Sequence, residues 1–262
     1  MTYFERLKEV VLANSFATTY SEATTEWVTT YYDYDECETE CLCGKCGLKH
    51  RYEITNVKTS NVLYPIGSEC IEKFNNDKMT KDALTLKDVA EYRNSFLSFR
   101  KMDLSEINPN VVSYCYGIDA LEDENDFEFM MAFSRKRSFR NISEKQKKKA
   151  YFLMETMENA VIFDPAFYGS ERELEKEKKL REEFVQDNIG KYIKTESIPA
   201  LVMIHLPEDI FDNTDQKNFV ISMYRKIKRR EQVNITEKQK KFFNMLIVTK
   251  ILPYLKESVT HD

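Results

Sequence analysis

Glycine is scarce in this chain, with six in 262 residues, and the shortage excludes a good deal. Loops that cradle phosphate on backbone amides need closely spaced glycines, and neither GxxxxGK[ST] nor GxGxxG occurs. The GxSxG turn that presents a nucleophilic serine is missing, as is the HExxH pair of zinc proteases. Histidine is as rare, with His50, His205 and His261 only, and none stands beside a glutamate ahead of PCxxC as zinc deaminases require. Among these, His50 is a spare metal ligand, His205 reads as a satisfied core residue on an apolar strand, and His261 belongs to the tail. Long apolar runs are absent too. Runs such as Ala200–Ile204 and Met245–Val248 fall far short of the ~20 residues of a bilayer span, and no leader peptide is expected at the start. A cytoplasmic protein with no membrane contact is therefore expected. Nor is there an excess of positive charge: 39 Lys and Arg against 44 Asp and Glu leave a formal charge of -5, which argues against a protein that binds polyanions over its whole surface. Acidic residues crowd 33–40 and 121–126 instead. A catalytic role finds little footing. Asp164, Asp209 and Asp212 keep a metal-dependent nuclease as a third alternative, although nothing in their spacing selects them.

What the chain does have is a concentration of sulfur. Five of its six cysteines lie between positions 37 and 70. Cys43-Gly44-Lys45-Cys46 is a CxxC knuckle that brings two thiolates to one ion, with Gly44 free to turn beneath them. Cys41 adds a third sulfur. Tyr52 and Ile54 alternate with polar neighbours as one strand, turn formers fill 56–61, and Val62–Ile66 returns as a second strand that delivers Cys70. Gly67-Ser68 can aim backbone amides at a thiolate, which supports a sulfur-rich site. Cys41, Cys43, Cys46 and Cys70 are thus expected to hold one structural zinc around a short antiparallel hairpin. Cys37 and His50 are each placed to replace one of the four, and Cys115, far from the rest, reads as a core thiol. Buried reduced thiols without metal, and a disulfide framework, are the competing readings; the clustering and the CxxC spacing favour metal.

The stretch from about Phe4 to Phe74 resembles a small zinc-binding module of accessory proteins from large bacteriophages and related mobile elements. The matching residues are Ala23, Glu26 and Trp27, then Cys41, Cys43 and Gly44, then Asn56, and finally Gly67, Ser68, Cys70, Ile71, Lys73 and Phe74. The resemblance implies Cys41, Cys43 and Cys70 as ligands and a bacterial host cell as the setting. Cys46 is not part of that pattern.

Beyond the cysteines the chain reads as α+β and mostly α. Residues 1–105 form a zinc-bound β-hairpin module with flanking helices, and 106–262 a mainly helical domain. A helix is expected over 3–14, from Phe4, Leu7, Val10 and Val11, another from near Thr85 to Phe99, and a charge-rich one from Ser170. Pro109 reads as a breaker, and 192–193 and 200–206 as short strands. An internal repeat stands out. Asn141-Ile142-Ser143-Glu144-Lys145-Gln146-Lys147-Lys148 recurs as Asn234-Ile235-Thr236-Glu237-Lys238-Gln239-Lys240-Lys241, and MAFSRK at 131–136 matches ISMYRK at 221–226, with three further residues in the second connection. Each signature is a capping box that starts a helix, so two related helical hairpins are expected over about 127–158 and 219–250.

Positive charge gathers at the hairpin entries, at Arg135, Lys136, Arg140, Lys147 and Lys148 in one and Arg225, Lys226, Arg229, Lys240 and Lys241 in the other. The expected function is a non-enzymatic, zinc-containing accessory protein that holds a DNA or RNA backbone at two points without reading sequence. The alternative is a protein-interaction factor that inhibits a host defence or transcription complex, a reading that the net acidity favours; under a third possibility the lysines only solubilise the helices.

Overall fold

The computed structural model describes residues 1–98, 102–136, 142–188, 193–229 and 235–260, with the backbone alone at 37, 38 and 258–260. Two compact units result. Met1–Asn94 with Asp103–Ala166 form the first, and Ser95–Met102 with Phe167–Asp262 the second. The boundary drawn from composition near residue 105 differs from this division, because the first repeat shares its unit with the sheet.

In the first unit, helix α1 (Tyr3–Ala13) starts at a capping box between Thr2 and Glu5 and buries Leu7 and Val11. Helix α2 (Tyr20–Ala23) and a 3-10 turn lead into strand β1 (Trp27–Thr39), which pairs antiparallel with β2 (Leu48–Asn56). Strand β3 (Val62–Ile66) adds to the other edge of β2, so the order is β1-β2-β3. Burial of Tyr52, Ile54 and Asn56 at alternate positions of β2 is the period of two that the sequence shows. The hairpin is therefore the central strand and one edge strand of a three-stranded sheet. Strand β1 carries the threonines, tyrosines and valine that suit a pleated surface, but its acidic residues hide that pattern in a polar stretch.

Helix α3 (Ser68–Glu72) follows β3 directly. Helix α4 (Asp77–Leu97) begins well before Thr85 because the Asn76 side chain accepts the Met79 amide at 3.1 Å, and Met79 and Ala83 extend the buried face. Helix α5 (Pro109–Gly117) corrects the reading of Pro109 as a breaker. Proline sits in the first turn, where its missing N–H has no intrahelical partner to lose, and Asn108 caps the helix by accepting the Asn110 amide. Helices α6 (Glu124–Ser134) and α7 (Glu144–Ile162) complete the unit. The buried Arg93 guanidinium of α4 donates to the Ile162 carbonyl at the end of α7.

The second unit contains α8 (Glu171–Asp187), α9 (Ala200–Ile204), α10 (Thr214–Lys228), α11 (Glu237–Leu246) and α12 (Leu252–Thr260), with a π-helical stretch at Ile247–Ile251. The expected strand at 200–206 is helix α9. Leu201, Val202, Met203 and Ile204 are all buried, and a segment apolar all round shows no period that separates strand from helix. Tyr192 lies outside the described residues, and Ile193 is in no strand.

The repeat is real and longer than its signature. Ser143 with Gln146 and Thr236 with Gln239 each close a complete capping box. Upstream, a 3-10 turn (Leu104–Glu106, then Thr195–Ser197) is followed by a buried isoleucine (Ile107, Ile198), a proline (Pro109, Pro199), a helix (α5, α9), a buried apolar residue (Leu121, Phe211), an N-cap (Asp123, Asn213) and a helix (α6, α10). In both units the 3-10 turn packs on the second of these helices. Phe129 lies under the Lys149 ammonium in one copy, and Phe219 meets the Phe242 ring in the other. Those four residues occupy equivalent places.

The copies part at the end. Phe243, Ile247, Ile251 and Leu255 are buried every four residues, so on a regular helix each would drift ~40° from the last. The wider π turn at Ile247–Ile251 takes up this drift. In α7 the equivalent Ala150, Met154, Glu158 and Ile162 are buried at the same spacing, yet Leu153, Met157 and Val161 widen the buried face and the helix stays α throughout.

Candidate metal centre and basic hairpins

The loop after β1 and the first turn of α3 bring three cysteines together. The sulfurs of Cys41, Cys43 and Cys70 lie within 4.8 Å of one another, and the residues are only 3%, 2% and 4% exposed. The local sequence explains the convergence. Gly44 donates its N–H to the Cys41 carbonyl at 2.7 Å, and Cys41 donates its own to Lys45 at 2.9 Å, which closes a tight turn. Leu42 donates to the Pro65 carbonyl at 3.0 Å and ties that turn to β3. Gly44 holds φ +92°, and a Cβ there would lie 2.5 Å from the Arg6 guanidinium. A Cβ on Gly67, just before α3, would press on Leu48 at 2.9 Å.

The electrostatics favour one thiolate in advance of any metal. The Cys41 and Cys70 sulfurs are 3.8 Å apart and share a hydrogen bond. That bond and the amides of Cys43 and Gly67 hold the Cys41 thiol well below its ordinary range, against the effect of burial. Cys70, the other member of the bond and buried beside Cys41, is pushed up. Gly67 thus plays the part expected of it. Lys45 donates to both oxygens of Glu69 at 2.8 and 2.9 Å; this bond raises its pKa, and the nearby Cys43 and Cys70 add to the effect. Three converging sulfurs could hold a metal ion, and the donor set suits a thiophilic divalent cation such as zinc.

Among the other candidates, Cys46 is exposed and outside the trio. His50 shares a 2.8 Å hydrogen bond with the Tyr32 hydroxyl through Nδ1 and lies against the Tyr32 and Tyr34 rings. The Cys37 side chain lies outside the described residues. Cys115 is fully buried in α5, apart from the others.

Glu26, Trp27 and Asn56 of the Phe4–Phe74 pattern form a polar brace beside the sheet. Glu26, 1% exposed, accepts the amides of Phe16 and Ala17 at 2.9 and 3.1 Å, the Asn56 side chain at 3.0 Å and the Lys58 ammonium at 3.3 Å. Asn56, fully buried, accepts the amides of Lys58 and Thr59, while the Trp27 indole donates to Ser15 at 2.9 Å. Sequence reasoning had these residues without a role; a buried carboxylate needs such partners.

The basic residues divide into engaged and free. Arg135 and Lys136 are exposed at the end of α6, with Lys136 over the Phe133 ring, and Arg140 lies outside the described residues. Lys147 and Lys240 pair with Glu144 and Glu237 at 2.8 and 2.9 Å in the same geometry. Arg225, Lys226 and Arg229 are half-buried, the last over the Phe96 ring. Lys145, Lys148, Lys238 and Lys241 lie at equivalent places in the two copies, without a described ion pair, and all four are exposed. Sequence reasoning placed Lys148 and Lys241 at the hairpin entries and Lys145 and Lys238 in the repeated signature; separating them from their paired neighbours needs side-chain geometry.

The acidic crowding is partly absorbed within the fold. Asp33 and Asp35 bind Arg51 at 2.7 and 3.1 Å, Glu40 binds Arg6 at 3.1 Å, Asp123 caps α6 and Asp126 binds Lys149. Asp164 accepts the Tyr114 hydroxyl at 2.6 Å and Asp212 binds Lys250 at 2.7 Å, whereas Asp209 lies in a 3-10 turn. The three do not form a cluster. Outside the cysteines, the described residues contain no group of three candidate metal ligands. His205 ends α9, buried against Tyr168 and bonded to Glu173 at 2.5 Å, which makes it a satisfied core residue on a helix rather than a strand. No described helix is long and apolar enough to cross a membrane. Comparison with protein families, with curated proteins and with solved structures finds no match to this chain.

Proposed function

We propose that the chain is a non-enzymatic accessory protein in which a zinc ion staples the sheet module and the two basic hairpins grip a nucleic-acid backbone. The observation that carries this reading is internal. Two copies have diverged over most of their length, yet both keep lysines with no described ion pair at equivalent places, Lys145 with Lys148 and Lys238 with Lys241. Caps and core explain the retained Ile142, Ser143 and Gln146 and their counterparts, but no packing role explains these four. Lysines at two separate places suit a repeating polyanion, which they would hold without reading its sequence. The resemblance of the amino-terminal module to those of phage accessory proteins makes the cytoplasm of a bacterial host the setting.

The test is a titration of binding to short duplex and single-stranded oligonucleotides over a range of salt. Affinity should fall steeply with salt, and Lys145→Gln with Lys148→Gln, Lys238→Gln and Lys241→Gln should flatten the duplex slope by about 0.9 for each phosphate no longer neutralised. No affinity at low salt, or an unchanged slope, removes the reading.

A protein partner is the second reading. Beside the lysines, Phe152 is 67% and Met245 46% exposed at equivalent positions, which suits an acidic protein surface with an apolar centre. A pull-down from bacterial lysate separates the two. Capture that survives nuclease treatment and fails with Phe152→Ala and Met245→Ala supports the protein partner.

A further inference from the structure

We infer that Cys46 is the fourth metal ligand, brought in by rotation of the Lys45-Cys46 dipeptide between Gly44 and Gly47. This rests on the metal reading of the three-cysteine cluster and adds how that site is completed. Zinc in a structural site takes four donors in a closed tetrahedron, and three are already convergent and buried. A closed site needs its fourth donor from the protein. Among other candidate donors, the imidazole of His50 is held by Tyr32, the Glu69 carboxylate by Lys45 and the Tyr20 hydroxyl donates to the Lys73 carbonyl at 3.3 Å. The Cys46 thiol is exposed and has no described partner.

Reach and freedom agree. Cys46 lies three residues beyond Cys43, a separation the chain can span by at most about 10 Å, and a CxxC pair converges well inside that limit. Gly44 and Gly47 both hold positive φ, at +92° and +83°, a region open to glycine at no steric cost. The bond from the Gly44 N–H to the Cys41 carbonyl anchors the near side, and β2 begins at Leu48 on the far side; the bond from the Cys41 N–H to the Lys45 carbonyl is given up in the rotation. The dipeptide can therefore re-aim Cys46 with Cys41 and Cys43 in place. The Lys45 ammonium beside Cys43 and Cys70 would offset part of the charge of four thiolates.

The experiment is alkylation of the full chain with iodoacetamide, stripped by chelator or loaded with one equivalent of zinc, and read cysteine by cysteine by mass spectrometry. Cys46 should react readily when stripped and about tenfold more slowly when loaded, while buried Cys115 stays unreactive in both and reports an intact fold. With cobalt in place of zinc, Cys46→Ser should lose about one quarter of the sulfur-to-metal charge-transfer intensity, as expected for one thiolate of four; if that variant fails to fold, the alkylation of the unaltered chain still decides. A loaded protein whose Cys46 reacts as fast as the stripped one, or in which Cys37 is protected instead, overturns the assignment and leaves the metal site standing. Failure to bind metal at all overturns both.

Discussion

The sheet of the first unit and the repeat of the second are ordered by different means. Around the sheet, an apolar core that includes Leu7, Trp27, Ile54 and Ile66 is interrupted by buried groups with directional needs: three thiols, the Glu26 carboxylate and the Asn56 amide, each satisfied by a few named partners. In the second unit one continuous apolar cluster runs from Phe184 through Val202, Tyr224 and Phe243 to Leu255. Directional networks fail when one member is lost, because a buried group is left unsatisfied, whereas an apolar core loses stability in proportion to the volume removed. The two regions should therefore respond to different insults.

The largest effect should come from the metal. Chelation, or Cys43→Ser, should remove about 10 kcal/mol or more of binding free energy that orders the loop. Hydrogen exchange should then accelerate in β2, β3 and α3 and stay slow in α10 and α11. Equal loss in both would show that the units do not differ as argued. Next in size, Leu246→Ala should cost the second unit about 2–5 kcal/mol in denaturant unfolding and leave zinc stoichiometry unchanged, since Leu246 is fully buried within the apolar cluster. Leu153→Ala, at the equivalent place in α7, should cost the first unit a comparable amount.

What could be read from the residues follows the same division. The β2–β3 hairpin, the convergence of Cys41, Cys43 and Cys70, and both capping boxes were legible because each is a local pattern whose period or spacing carries its own geometry. Strand β1 was not, since its strand formers are interleaved with acids whose partner, Arg51, lies on the neighbouring strand. Helix α9 looked like a strand because all its neighbours are apolar. The full extent of the repeat was hidden for another reason: Leu121 and Phe211, or Asp123 and Asn213, perform one task with different residues, and only placement in the fold shows it.

The polar brace gives a prediction tied to pH. Hydrogen bonds from Asn56 and the Phe16 amide, with the Lys58 charge, hold the Glu26 carboxyl below its ordinary 4.5 despite burial. A group with a depressed folded pKa contributes stability that is present above its unfolded value and lost as pH falls through the folded one. The first unit should thus weaken below about pH 4.5 and the second much less, and Glu26→Gln should flatten that acid limb. Asn56→Ala should cost about 1–3 kcal/mol at neutral pH by leaving the amides of Lys58 and Thr59, and part of Glu26, without a partner. An acid limb unchanged by Glu26→Gln would place the sensitivity elsewhere.

The smallest predicted effects test the likeness between the copies. Ser143→Ala and Thr236→Ala each remove a side-chain oxygen that accepts the amide three residues on, at 3.3 and 3.2 Å, and each should cost about 1 kcal/mol in the unit that contains it. Both caps are exposed, and in each the partner glutamine also accepts the cap's own backbone amide, at 3.0 and 2.9 Å. Losses equal to within a few tenths of a kcal/mol are therefore expected, although one cap lies in the unit with the thiol-bearing sheet and the other does not. A Ser143→Ala effect that grows when the metal is stripped, with Thr236→Ala unchanged, would show that the first copy leans on the sheet for its stability. Equal effects in both metal states would show that each hairpin is a self-sufficient local element, stabilised by its own cap and core.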